Sequence, residues 1–173
     1  MAFINSSQLL LSSDDSVHAV DMITLQEQTY ASLFNHKDEP VYIGHRTQQV
    51  RFNGGYGITF DGNRTVYVSQ SVYGRIMAIN TVTDQVTNRI YSSLAHLYKL
   101  YFDSITSGIL TTIWDDIYKR YNICKLKLES GTLSYLLSRS SAGSVEIGEY
   151  WRTDIVRLNG TVWLVVDRSK ANK

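Results

Sequence analysis

Between Gly57 and Tyr91 the chain reads GITFDGNRTVYVSQSVYGRIMAINTVTDQVTNRIY, and β-type runs alternate with turn residues along the whole of it. Ile58 to Phe60 leads into Asp61-Gly62-Asn63; Val66-Tyr67-Val68 follows, then a turn at Gly74, then Ile76 to Ile79. The turn Thr83-Asp84-Gln85 and the run Val86 to Tyr91 complete it. Strand, tight turn and strand at this pitch predict a four-stranded antiparallel meander.

The flanking regions carry the same rhythm less completely. In residues 1–34, Phe3 aligns with Phe60, Leu9 to Leu11 with the Val66 run, and Ala19-Val20-Asp21 with Ala78-Ile79-Asn80. The first strand of this block is short, and Gln26-Glu27-Gln28 near its end are good helix formers. Residues 35–54 read as a connecting loop with the single proline, Pro40, and a short edge strand at Val41 to Ile43. Leu94 to Leu100 reads either as a helical turn or as an outer strand. Phe102-Asp103 then falls 42 residues after Phe60-Asp61, a spacing suited to a repeated β unit. In Tyr121 to Glu129 the alternation is clean, and it assigns Cys124, Leu126 and Leu128 to one buried face. Residues 138–152 are a Ser/Gly-rich surface loop, and residues 153–167 form a hairpin around Asn159-Gly160. The units are therefore 1–34, 55–91, 97–138 and 153–167, in one β domain.

Composition agrees with an all-β fold. Only 19% of residues are charged, while twelve tyrosines and one proline suit pleated surfaces. The net charge of +1 lacks the basic footprint of a nucleic-acid binder, and no apolar run is long enough for a membrane span. The first residues lack the basic segment of a signal peptide, so synthesis in the cytoplasm is expected. One cysteine rules out an internal disulfide.

The order Gly57, Phe60, Asp61, Val66-Tyr67-Val68, Gly74, Ile79-Asn80-Thr81 and Val86 resembles one blade of a β-propeller of the YVTN or NHL type. That resemblance implies a small or partial β-propeller; a β-sandwich built from the same hairpins is the alternative. Three or four units with no evident ring closure leave a strand edge at Val162, Trp163, Leu164, Val165 and Val166, expected to be completed by a protein partner or a second copy.

Chemistry is sparsely signalled. His18, His36, His45 and His96 have no metal-motif spacing, and no serine sits in a Gly-x-Ser-x-Gly elbow. Gly54-Gly55-Tyr56-Gly57 runs into a strand rather than a phosphate-binding helix, which suits a close strand crossing. Asp14-Asp15 and Asp115-Asp116 occupy matching turns, where Asp serves as a turn former before it serves as an acid or base. Tyr56, Tyr73, Tyr118, Tyr150 and Trp151 lie in or beside turns, where aromatics stack on sugars or anchor partners. The expectation is a non-enzymatic structural or interaction module without metal or cofactor, with a composition reminiscent of virus or phage particle subunits. A glycan-binding propeller lectin is second, and a hydrolase using rim carboxylates third.

Overall fold

The computed structural model describes residues 1–13, 16–32, 44–45, 57–71, 74–91, 95–115, 120–137, 153–159 and 162–167. These residues are almost entirely strands and the turns between them, so the fold is all-β. The first sheet is β1 (Ala2–Phe3), β2 (Gln8–Ser12), β3 (Ser16–Asp21) and β4 (Glu27–Ser32), in chain order. The second contains β6 (Ile58–Phe60), β7 (Thr65–Gln70), β8 (Arg75–Asn80) and β9 (Gln85–Tyr91), with β5 (Gly44–His45) added outside β9. The third is β10 (Ala95–Asp103), β11 (Gly108–Asp115), β12 (Arg120–Lys127) and β13 (Leu133–Leu137). A separate hairpin pairs β14 (Thr153–Asn159) with β15 (Val162–Asp167).

The three meanders share one register. A single row crosses each sheet: Phe3, Leu9, Val20 and Glu27 in the first; Phe60, Val66, Ile79 and Val86 in the second; Phe102, Ile109, Leu126 and Leu133 in the third. Each fourth strand then carries a bulge three residues past that row. Thr29 opposes His18 and Ala31 opposes Val17, which leaves Tyr30 as the extra residue. Arg89 and Leu136 are extra in the same way in the other two sheets. A bulge adds twist and interrupts the ladder that an outer strand offers to other chains.

The turns between third and fourth strands repeat as well. Oδ1 of Asp21 accepts from the backbone N–H groups of Ile23 and Thr24, and Oδ1 of Asn80 accepts from those of Val82 and Thr83. This is the Asx turn, in which a short side chain stands in for a backbone acceptor. Four residues after Asp21, Asn80 and Lys127 the chain enters the left-handed region, at Leu25 (φ 58°), Asp84 (φ 56°) and Gly131 (φ 67°).

Alternation along the strands gives the second sheet two apolar faces. One face, with Ile58, Val66, Val68, Met77, Ile79 and Val86, packs on Leu10, Val17, Ala19, Tyr30 and Ala31 of the first sheet. The other, with Tyr67, Ile76 and Ala78, packs on Leu97, Ile109, Ile113, Cys124 and Leu126 of the third. Each such side chain contributes about 1.5–3 kcal/mol when fully buried, so these two interfaces form the core. Tyr67 and Phe102 stack across the second of them, with ring centroids 6.3 Å apart and planes 6° apart.

Strand pairing and packing decide what the sequence leaves ambiguous. The Leu94 to Leu100 region is strand, entering β10 at Ala95 and pairing with β11. The helix formers at Glu27 and Gln28 begin β4, because β3 supplies a complete antiparallel partner. The short strand on the outer edge of the second sheet is Gly44–His45; Val41 to Ile43 lie outside the described residues. The close crossing expected of the glycine run is found at Gly57, where a Cβ would sit 2.0 Å from the carbonyl oxygen of Tyr98 on β10.

Candidate functional site

The first sheet turns Leu10, Val17 and Ala19 toward the second sheet, so the alternate residues Leu9, Leu11, Ser16, His18 and Val20 lie on its outer face. That outer face corresponds, residue by residue, to the face each later sheet buries against its predecessor. Val66, Ile79, Ile109 and Leu126 are at 0% exposure, but Leu9 and Val20 are half-buried and Phe3 is 57% exposed. The face has an apolar half near the β1–β2 turn and a polar half at the opposite end.

The polar half is a hydrogen-bonded series. Glu27 Oε1 lies 2.8 Å from His18 Nδ1, and His18 Nε2 lies 2.6 Å from Ser16 Oγ. Ser13 Oγ is 2.7 Å from Ser16 Oγ and 3.4 Å from the same ring nitrogen. A carboxylate only accepts, so Nδ1 carries the proton; in a neutral ring Nε2 then offers its lone pair to the Ser16 hydroxyl. The register places Met77 and Cys124, both fully buried, at the position His18 fills in the first sheet. A search for metal-motif spacing among the histidines passes over this series. The signal was Ser-x-His on a strand, with Glu27 arriving from β4.

A cleft of about 590 Å³ opens between the first and second sheets at the end that carries the β1–β2, β6–β7 and β8–β9 turns. Asn5, Gln28, Asn63 and Asp84 line it together with Tyr30 and Phe60. At its rim Oδ1 of Asp61 accepts from the backbone N–H groups of Asn63, Arg64 and Thr65, each at 2.9 Å. Partial burial raises the Asp61 carboxyl, but these bonds and the Thr65 hydroxyl together outweigh it and hold the group below the usual carboxylate range.

Tyr56, Tyr73, Tyr118, Tyr150 and Trp151 all lie outside the described residues, as do Asp14, Asp15 and Asp116. Val162 to Val166 form β15, paired with β14 on one side; among the described strands none pairs with the other side. No group of three or more His, Cys, Asp or Glu gathers as a metal site among the described residues. No described helix is long and apolar enough to cross a membrane. No protein-family model matches this chain, and no curated protein matches it in sequence.

Proposed function

We propose that the chain is a propeller-type scaffold that acts by joining a larger assembly through the outer face of its first sheet. The observation that carries this is the half-buried pair Leu9 and Val20 beside exposed Phe3, where the counterparts Val66, Ile79, Ile109 and Leu126 are fully buried against a preceding sheet. An apolar sheet face in water is stabilised by covering it. The propeller arrangement is supported by the first strands of successive units, which neighbour one another in the order β1, β6, β10 and β14. The occupant is the β14–β15 end of a second copy. It is the last β unit in chain order, and would stand against the first sheet of the next copy as the first sheet stands against the second; such a head-to-tail contact closes a ring or extends a filament.

Light scattering after size exclusion, over a range of concentrations, tests this. Species larger than one chain are expected, and Leu9→Lys should return them to monomer. A wild-type chain that stays monomeric at every concentration overturns the proposal.

A second reading, a glycan-binding role, is favoured by the cleft between the first two sheets. Neutral amides beside an aromatic ring suit a saccharide, which presents hydroxyls on its edge and C–H groups on its face. A glycan array tests it, with Phe60→Ala expected to abolish any binding found. Absence of binding to every sugar removes this reading.

A further inference from the structure

We infer that Ser16 is an activated nucleophile that accepts an acyl group from an ester. Three observations carry this. The Ser16 hydroxyl lies 2.6 Å from His18 Nε2, and Glu27 holds the other ring nitrogen at 2.8 Å. That is the order of groups that activates a serine: a base on the hydroxyl and a carboxylate that fixes the base's tautomer and stabilises the imidazolium. The series also stands where the other two sheets place core side chains, with Met77 and Cys124 at the position of His18, and Val86 and Leu133 at that of Glu27. Packing therefore does not require a histidine or a carboxylate here. Finally, the series borders solvent: Ser16 is itself 8% exposed, but the His18 side chain beside it is 27% exposed and the Glu27 side chain 59%.

In the reaction, Ser16 Oγ attacks the ester carbonyl while its proton passes to His18 Nε2. The Oγ–carbonyl bond forms, the ester C–O bond breaks, and the departing alkoxide takes the proton back from Nε2. The products are acyl-Ser16 and a free alcohol, with no change of oxidation state. Ser13 Oγ, 2.7 Å from the nucleophile, is the adjacent hydroxyl that can turn its proton toward the developing oxyanion. The step is an acylation held on the protein, compatible with a scaffold that does not turn over substrate. Every group belongs to one sheet of one chain, so acylation needs no second copy; because the series shares the outer face through which assembly is proposed, labelling is read at a dilution that keeps the chain monomeric.

The test is labelling of the full chain by a fluorophosphonate probe, with the modified residue located by peptide mass spectrometry, and in parallel the release of 4-nitrophenol from 4-nitrophenyl acetate. Modification at Ser16 and a burst approaching one equivalent per chain are expected. Ser16→Ala should abolish both, and His18→Gln should slow labelling roughly 100-fold, the lower range for loss of a positioned base. Glu27→Gln should slow it less and leave thermal unfolding close to wild type, because Glu27 is exposed. Unchanged labelling in Ser16→Ala, or wild-type labelling no faster than that of the urea-unfolded chain, overturns the inference. If a variant loses its fold, the comparison of native with unfolded wild type still decides.

Discussion

The buried hydroxyl of Ser69 donates to the carbonyl oxygen of Tyr98 at 2.8 Å, and so joins the second sheet to the first strand of the third. The Ser69 Oγ in turn accepts from the Gly57 N–H at 2.7 Å. Replacing Ser69 by Ala leaves two buried backbone groups short of a partner and should cost about 1–3 kcal/mol, read as a lower urea midpoint. Gly57→Ala should be worse, since the new methyl would collide with backbone rather than with a movable side chain; loss of cooperative unfolding is expected.

Asp61 predicts a dependence on acid. Its folded-state value lies below the ordinary 3.8, so near that pH the native chain binds fewer protons than the unfolded one. The stabilisation is therefore fully present above the ordinary value and is lost as pH falls through the lower, folded one. Asp61→Asn should be less stable than wild type at pH 7, and the gap between their urea midpoints should narrow toward pH 3.

Leu25 and Gly131 occupy equivalent turn positions with positive φ, and they should respond in opposite ways. Nothing lies within 4 Å of a Cβ added at Gly131, so Gly131→Ala meets only the backbone penalty, about 1 kcal/mol. Leu25 is 74% exposed, so Leu25→Gly loses little packing and relieves the same penalty; its thermal midpoint should match or exceed wild type.

The stacked pair Tyr67 and Phe102 should be energetically coupled. A double-mutant cycle through Tyr67→Leu and Phe102→Leu is expected to give roughly 0.5–1.5 kcal/mol beyond the two single effects. Additive single effects would mean that the rings only fill space.

The repeating frame was legible because it is written locally. Phe60-Asp61 and Phe102-Asp103 mark equivalent strand ends, and Ala19-Val20-Asp21 aligns with Ala78-Ile79-Asn80 as the register requires. Alternation also placed Cys124 and Leu126 correctly in the core. The Ser16, His18 and Glu27 series was not legible, because it depends on a diagonal contact across a bulged strand pair. Glu27 stands opposite Val20, two residues from His18 along β3, and alternation along single strands does not say which diagonal neighbour a side chain will reach. The cleft was hidden for a related reason: it lies between sheets, and single-strand patterns do not specify how sheets meet.

The dislocated outer strands also decide how foreign backbone can attach. On the second sheet, among the described residues, β5 meets β9 at Val86 and Gln85, before the irregularity at Arg89, so regular pairing along the outer strand runs for three residues before the bulge. Lateral recruitment into extended fibrils is thereby discouraged on each of the three meanders, while flat stacking of one sheet upon another remains free to proceed. Growth of the proposed array would take its preferred axis from a misstep of one residue in each outermost strand.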